Sequence, residues 1–271
     1  MKRVAIIADM HCGHVSGLTP PEYQLTPYGD SVLNPKIYEY QQQAWAAYEA
    51  DVLALRENGV DCLIVNGDAI DGRGPRAGGN ETMHLDRIIQ AEIATRCIEI
   101  WNARKVFLIR GTPYHTGDLE QWEDVIAKRL RDRGAEVKIG DHDWIDVNGF
   151  VFDCKHKIGG SQIPHGRWTA GARQVLWSAL WSEAGLTPRS DMVVRSHVHY
   201  HIVGSMCVGE KKRYFMTTPC LQGWTRYGGQ QCSGLVDWGF LAFDIDDGGR
   251  IVKWHDRRHV IQSSIATVHR V

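Results

Sequence analysis

The sequence predicts an α/β protein with a parallel sheet and crossover helices in its first half and more antiparallel strands in its second. Two observations support this. Up to residue 133, short apolar runs alternate with longer helix patterns, an order typical of βαβ units. Beyond that point, Asn148-Gly149 lies between two extended runs and marks a β-hairpin. Most of the segments that follow have strand patterns.

Length and composition are those of a globular protein. The chain has 271 residues, 43% of them hydrophobic, with 31 basic and 32 acidic side chains. This length fits one large or two small domains at roughly 150 residues each. Because no repeat, low-complexity tract or linker divides the chain, we expect a single domain over residues 1–271. The net charge of −1 argues against a protein that coats nucleic acid by bulk electrostatics.

Cysteine usage and hydropathy suggest a compartment. The seven cysteines form no CxxC pair, which predicts reduced, buried thiols and no disulfide framework or zinc ribbon. The apolar run at the N-terminus stops at Asp9 and is too short for a signal-peptide core. No stretch approaches the 18 apolar residues of a membrane span. We therefore expect a cytoplasmic, soluble protein without a membrane partner.

The first half contains three predicted strands and three predicted helices. The strands are apolar and β-branched runs at residues 3–8, 62–66 and 106–109. The helices cover residues 37–58, 82–101 and 119–133. Asn58-Gly59 ends the first helix and Gly134 ends the third, as expected of residues that adopt a left-handed conformation.

The second half contains one predicted helix among strands. The hairpin strands are residues 144–147 and 150–154, and the helix covers residues 169–184. Further strands are predicted at residues 192–194, 201–208, 213–217, 240–245 and 251–254. Three tryptophans at or beside this helix, Trp168, Trp177 and Trp181, are predicted to pack in a core or an interface.

Polar residues follow each of the three N-terminal strands. The sequences are Asp9-Met10-His11, then Gly67-Asp68-Ala69-Ile70-Asp71, then Gly111-Thr112-Pro113-Tyr114-His115. Because ligands of open α/β sheets collect at the carboxyl ends of the strands, these groups are expected to converge. Downstream, His156 ends a hairpin strand, and His197 and His199 follow the strand at 192–194.

Carboxylates and imidazoles from five strand ends suit two adjacent divalent transition metals. A pair of ions about 3.5–4 Å apart can hold a phosphoryl group and activate water. Each element alone has an ordinary explanation, since Asp is a common turn residue and a His pair is common on surfaces. The prediction depends on all of them occurring in order, each directly after a strand.

This ordered set resembles the calcineurin-like metallophosphoesterase superfamily, whose pattern is D-x-H, G-D-x-x-D, G-N-H-D/E, a lone His and G-H-x-H. The resemblance implies a four-layer α/β/β/α sandwich of the metallo-dependent phosphatase type. It also implies that Asp9, His11 and His199 bind one metal, that His156 and His197 bind a second, and that Asp68 bridges them. The implied reaction is hydrolysis of a phosphomonoester or phosphodiester by hydroxide held between two ions. Mn²⁺ is the expected metal, with Fe, Zn, Ni and Co as alternatives.

The chain departs from the family pattern at two places. Ser196 replaces a Gly, which we expect to be harmless, and Thr112 stands where the family has a ligand Asn. A neutral hydroxyl is a poor ligand, so the second site is expected to be weaker or completed by water. His115 lies two residues beyond the family's acid His. It is predicted to protonate the leaving group, with the missing ligand as the alternative.

Several residues and functions remain open. Asp71 is expected to hold the nearby loop or to be a turn carboxylate, and His14 to support the site or lie exposed. Arg73 and Arg76 either clamp substrate phosphate or belong to a solvated loop. The basic segments 165–167 and 254–259 either track a nucleic-acid backbone or form a charged rim.

Two alternatives to a simple phosphoesterase remain, namely a DNA or RNA nuclease of the same superfamily and a metal-binding partner module with weakened catalysis. A nucleotide substrate and a homo-oligomer also remain open. The residue sequences of the first and third blocks resemble those of an uncharacterised branch of this superfamily found in phage and prophage genomes.

Overall fold

The computed structural model describes residues 1–26, 34–74, 79–116, 121–226, 228 and 236–261. Its strands are β1 (Lys2–Ile7), β2 (Cys62–Asn66), β3 (Lys105–Ile109), β4 (Glu136–Gly140), β5 (His142–Val147), β6 (Phe150–Lys157), β7 (Met192–Ser196), β8 (Ile202–Val208), β9 (Lys211–Thr217), β10 (Trp238–Ile245) and β11 (Ile251–His259). Its helices are α1 (Asn34–Arg56), α2 (Arg87–Glu99), α3 (Pro113–Thr116), α4 (Trp122–Asp132) and α5 (Pro164–Glu183).

The strands form two mixed sheets. The first has the order β11-β10-β1-β2-β3-β4, in which β1 to β4 are parallel and β10 and β11 are added antiparallel at one edge. The second has the order β5-β6-β7-β9-β8, with β6, β7 and β9 parallel and both outer strands antiparallel. The predicted change from a parallel first half to a more antiparallel second half is therefore confirmed.

Three apolar clusters define the layers. One lies between the first sheet and helices α1, α2 and α4, with Tyr48 and Trp101 fully buried in it. A second joins the two sheets face to face through side chains such as Ile64 and Phe152. A third, which includes Val175 and Phe215, packs α5 on the second sheet. The chain is thus the predicted four-layer α/β/β/α sandwich.

The local sequence explains how each strand is placed. All five residues of β2 are buried, since a strand in the middle of a covered parallel sheet needs apolar residues on both faces. Strand β8 alternates between half-buried and exposed residues, as expected when only one face is covered. In the hairpin turn between β5 and β6, Asn148 has φ 54° and Gly149 has φ 89°, as the sequence pair predicted.

Several elements differ from their predictions, and two of these differences have a clear physical cause. Strand β4 was not predicted, because charged residues interrupt its apolar pattern and it lies at a sheet edge. The second helix begins at Arg87 and not at residue 82, since the Asp86 side chain accepts a hydrogen bond from the Ile88 amide and caps the helix there. Leu85, which precedes this cap, and Ile88, in the first turn after it, are both exposed.

Predictions about single residues also need correction. Trp168, Trp177 and Trp181 are each between 43% and 47% exposed, so none of them is a core residue. Five described cysteines are buried and free as predicted, whereas Cys207 is exposed. Within the described parts of the chain, no helix is long and apolar enough to cross a membrane.

Candidate metal centre

The polar residues that follow β1, β2 and β3 meet at one edge of the first sheet. The Asp9 amide donates to the Gly67 carbonyl at 3.0 Å, and the His11 amide donates to the Asp68 carbonyl at 3.0 Å. The Thr112 amide donates to the Asp68 carboxylate at 2.6 Å. The parallel register of these strands thus continues into the loops and places the three blocks side by side.

The second sheet contributes from the opposite side. His156 lies on β6, with Nε2 2.9 Å from Asp68 Oδ2. His197 and His199 follow β7, and the His197 amide donates to Asp9 Oδ2 at 3.1 Å. The site therefore lies between the two sheets, where their strand ends face each other.

Backbone conformation is unusual at this site. Among the described residues other than glycine, seven have positive φ, and five of them belong to the site: Asp9, His11, Asp68, His197 and His199. Such conformations cost roughly 1–3 kcal/mol each and persist where the surrounding structure demands them. Their concentration in the predicted ligands indicates that contacts between the blocks, and not local backbone preference, set the side-chain placement here.

Two glycines allow the close approach of the blocks. A Cβ at Gly111 would lie 2.1 Å from Asp68 Oδ1, and a Cβ at Gly67, which also has φ 89°, would lie 2.2 Å from His156 Nδ1. Any larger residue at either position would displace a predicted ligand. These glycines therefore belong to the geometry of the site and not only to its turns.

The side chains form three overlapping groups, each with ligand atoms within 4.8 Å of one another. The groups are Asp9, His11 and His199; Asp68, His156 and His197; and His11, Asp68 and His115. The structure thus brings together all six residues expected to bind metal, with His115 beside them. Most of these side chains are buried, but His197 and His199 are 35% and 22% exposed, so the centre is open to solvent on their side.

Charges within the centre are strongly coupled. Burial raises the pKa of the Asp68 carboxyl, but His156 and His115 outweigh burial and hold that pKa well below its usual range. Burial lowers the pKa of His156, and the Asp68 charge then raises it to about 9. Burial, together with His115 and His199, lowers the pKa of His11 well below its usual value. Without metal, His156 and Asp68 therefore carry opposite charges, whereas His11 is neutral.

Two buried atoms test whether a cation fits. Asp9 Oδ1 and His11 Nδ1 have no hydrogen-bond partner within the described residues. Three imidazole nitrogens surround Asp9 Oδ1, from His199 at 3.4 Å and from His11 and His156 at 3.9 Å each. Buried polar atoms are rarely left unpaired, and a set of carboxylate and imidazole ligands suits a divalent transition metal. The residues present therefore fit the implied ions.

The third block lies against the centre without reproducing the family pattern. The Thr112 hydroxyl donates to the Asp68 carboxylate, with Oγ1 3.2 Å from Oδ1. His115, on the short helix α3, places Nδ1 2.7 Å from the Asp71 carbonyl oxygen. Because a carbonyl only accepts, Nδ1 is the protonated nitrogen, and Nε2 faces Asp68 Oδ2 at 3.9 Å. Asp71 thus orients His115 through its backbone.

Other predicted residues have different outcomes. Arg73 is exposed, and Arg76 lies outside the described residues. His14 is buried and not on an exposed loop, and its Nδ1 accepts from the Ser16 amide at 3.1 Å. Ser196 is buried, and its hydroxyl oxygen accepts from Asn66 Nδ2 and Thr218 Oγ1, both at 2.7 Å. The hydroxyl therefore links β2 and β7, where a glycine would not.

Glu123 was not predicted from the sequence. Its carboxylate lies on α4, is almost fully buried, and accepts from the Gly111 amide at 3.0 Å. Burial raises the pKa of Glu123 to about 7. An acidic residue in the first turn of an amphipathic helix is normally solvated, so the sequence carried no signal for its burial beside the third block.

Comparisons with known proteins complete the description. The two mixed sheets and their helix layers form the α/β/β/α architecture that the resemblance to the calcineurin-like metallophosphoesterases implies. No protein-family model and no curated protein matches it. An archaeal phosphodiesterase is similar at 12% identity and TM-score 0.45, over 93% of this chain and 97% of that one. A dimetal phosphatase from Danio rerio has 12% identity and TM-score 0.42, over 89% and 92%. Vps29 from Chaetomium thermophilum has 9% identity and TM-score 0.42, over 91% and 86%.

Proposed function

We propose that the protein is a dinuclear metal-dependent phosphoesterase. The observation that carries this proposal is the pair of ligand groups, Asp9-His11-His199 and Asp68-His156-His197. The carboxylate of Asp68 lies beside His156 of its own group and also belongs to the group with His11 and His115. A bridging carboxylate between two imidazole-rich groups matches the requirement of a paired-metal centre.

The proposed first site is formed by Asp9, His11 and His199, and the second by His156 and His197, with Asp68 shared. Two divalent ions here would supply Lewis acidity and a water of lowered pKa. Imidazole-rich sets favour transition metals over Mg²⁺ and Ca²⁺, and Mn²⁺ is the proposed ion. Thr112 contributes a neutral hydroxyl that already donates to Asp68, so the second site is proposed to bind more weakly.

His115 is proposed to protonate the leaving oxygen. Its Nδ1 donates to the Asp71 carbonyl, so a second proton on Nε2 would point into the centre. Its side chain is 13% exposed and therefore reachable by a substrate. Ligation of a metal by the same nitrogen is the alternative, because His115 also belongs to a group with His11 and Asp68.

The substrate is proposed to be a phosphomonoester or phosphodiester, with Arg73 and Arg76 as candidate phosphate contacts. A nuclease gains no support from segment 254–259. Arg257 lies 3.4 Å from Asp51, and Arg258 lies 2.6 Å from Asp256. Because these cations are paired with carboxylates, the segment does not form a basic track.

The test is hydrolysis of bis(p-nitrophenyl) phosphate and of p-nitrophenyl phosphate by metal-stripped protein, with and without Mn²⁺. We expect turnover only with metal, and the faster ester identifies the class of substrate. Asp68→Asn and His197→Ala are expected to lose turnover and keep the fold. His259→Ala is the control. His259 lies on β11 and is paired with Asp51 on α1, so this variant should keep full activity. Equal rates without metal would overturn the proposal, and bound metal with no turnover would favour the binding module.

A further inference from the structure

Helix α5 presents an apolar face to solvent. Its opposite face, with Gly171, Val175 and Ala179, is buried against the second sheet. Leu176, Trp177, Leu180 and Trp181 point outward, and each is between 43% and 51% exposed. At 100° per residue these four side chains fall on one side of the helix. The outer layer of the molecule thus carries an apolar band that the described residues leave partly exposed.

The end of α5 extends this band. The Leu186 amide donates to the Trp181 carbonyl at 2.9 Å, and the Gly185 amide donates to the Ser182 carbonyl at 3.1 Å. This Schellman arrangement folds Leu186 back toward the last turn of the helix, where it is 73% exposed. We call Leu176, Trp177, Leu180, Trp181 and Leu186 the α5 patch.

The size of the α5 patch is unusual for a surface that stays in water. From the exposed fractions and side-chain areas of up to about 250 Å², it exposes roughly 500 Å² of apolar surface. That value is near the upper end for the largest patch on a monomer, and such patches commonly mark contact sites. Two such patches face to face, together with the polar residues around them, would bury roughly 1,500 Å² in total over both partners. This is a standard size for specific interfaces.

Charges at the two ends of the band indicate what covers it. Arg173 lies one turn before Leu176 on the same side and is exposed, and Glu183 lies just beyond Trp181. Glu183 is 62% exposed and pairs with Arg189 at 3.1 Å. In two antiparallel copies of α5 related by a two-fold axis at residue 178, Arg173 lies opposite the other copy's Glu183. The same axis places Leu176 opposite Leu180, so one register satisfies both the charged and the apolar pairs.

We propose that the α5 patch binds a second copy of this chain, with the two α5 helices antiparallel about a two-fold axis that crosses the exposed face at the level of residue 178. The same surface then serves both partners, as in most two-fold dimers. The stacked rings of Trp177 and Trp181, 5.8 Å apart, lie near the axis and form the aromatic centre of the interface. Tryptophans at such centres commonly contribute most of the binding energy.

The test is sedimentation velocity of the full chain between about 1 and 100 μM. We expect a concentration-dependent dimer for the wild type and a dissociation constant at least 100-fold weaker for Leu180→Glu. Leu53→Glu is the matched control, because Leu53 is 44% exposed on α1 in the opposite outer layer. This control should dimerise like the wild type, and circular dichroism should show both variants folded.

A charge exchange tests the register. Arg173→Glu places like charges opposite each other at two equivalent positions, and we expect about tenfold weaker dimerisation at low salt. The double variant Arg173→Glu/Glu183→Arg restores opposite charges and should recover most of the affinity. A wild type that is monomeric at 100 μM, a Leu180→Glu variant that dimerises normally, or no effect of either charge variant would overturn the proposal.

Discussion

At the scale of single residues, the proposed ligand set follows from residue type and position after a strand. Asp9, His11, Asp68, His156, His197 and His199 all come at or directly after strand ends, and the structure brings them together. What their sequence does not contain is the left-handed backbone that most of them adopt. That conformation depends on contacts between distant blocks, such as the hydrogen bond from the His197 amide to Asp9.

The sequence did not predict that Glu123 lies beside the site, for a related reason. Its burial arises because the Gly111 amide requires an acceptor at the end of β3, and α4 supplies one. Neither residue alone indicates that contact. The consequence is a carboxyl group in a nearly dry position, with Oε2 unpaired within the described residues.

Glu123→Gln should change how the free energy of unfolding depends on pH. Because burial raises the pKa of Glu123 to about 7, the folded state holds a proton that the unfolded chain releases above about pH 4.5. Stability is therefore lost as pH rises from about 4.5 to 7, by up to about 2–3 kcal/mol. The amide does not titrate, so from pH 5 to pH 8 the variant should gain this amount relative to the wild type.

Urea unfolding of metal-free protein at pH 5, 6, 7 and 8 measures this difference. An amide nitrogen of the variant at the position of the unpaired Oε2 would change the free energy of unfolding by a constant amount. That amount is the same at each pH, so it cancels when the values at different pH are compared. Glu136→Gln, at an exposed glutamate paired with Lys105, should show no such trend. A pH-independent gap between Glu123→Gln and the wild type would contradict the expectation.

At the scale of elements, most strands and turns were predictable, whereas helix starts and the edge strand β4 were not. Asp86 caps α2 five residues later than the apolar pattern suggested, because residues before it pack on the loop after β1. The Met83 amide, for example, donates to the Gly13 carbonyl at 2.7 Å. Such loop contacts between distant segments leave no periodic signal.

The segment of residues 111–115 offers a test of the third block. Thr112→Asn would place an amide oxygen, a better ligand than a hydroxyl, beside Asp68. We expect the second Mn²⁺ to bind about tenfold more tightly, since outer contacts and ligands commonly change affinity by that order. Thr112→Ser keeps the hydroxyl that donates to Asp68 and should bind like the wild type. Calorimetric titration with Mn²⁺ distinguishes them, and equal affinities for Asn and Ser would refute the ligand assignment.

Strand β6 is tied to its neighbours by Asp153. Its carboxylate accepts from His142 on β5 at 2.7 Å, from Arg195 on β7 at 2.9 Å and from Ser178 on α5 at 3.0 Å. Burial alone would raise the pKa of Asp153, but the hydrogen bond from His142 and the charge of Arg195 lower it to about 2. This stabilisation is therefore complete above about pH 4 and is lost as pH falls toward 2.

Asp153→Asn should lower the free energy of unfolding by about 2–4 kcal/mol at pH 7, because it leaves the buried Arg195 without its charge partner. The difference from the wild type should shrink by pH 3 and nearly vanish by pH 2. Guanidinium unfolding at pH 7, 4 and 3 follows this change. Asp132→Asn alters an exposed carboxylate paired with Lys128 and should stay within about 0.5 kcal/mol. A loss for Asp153→Asn that is the same at all pH values would disprove the linkage.

At the scale of the whole molecule, the layer order follows from the resemblance but the strand order does not follow from local pattern. Strand β10 pairs with β1, although more than 200 residues separate them. The apolar runs of both strands predict only that each is buried. Their pairing extends the first sheet on the side away from β4 and joins the end of the described chain to its beginning.

Metal should stabilise the whole molecule, because the proposed ligands come from both sheets. In the metal-free state, His156 is protonated beside Asp68 with a pKa of about 9, and Asp9 Oδ1 and His11 Nδ1 remain unpaired. An ion that binds only the folded state adds about 2.7 kcal/mol per site at a concentration 100 times its dissociation constant. For a chain of this size, two sites should raise the Tm by roughly 10 °C or more.

Differential scanning calorimetry of stripped protein should show this rise with Mn²⁺ and little rise with Mg²⁺ at the same concentration, since imidazole ligands disfavour Mg²⁺. Asp68→Asn should lose most of the rise, and an equal shift in that variant would place the stabilising ion elsewhere on the molecule.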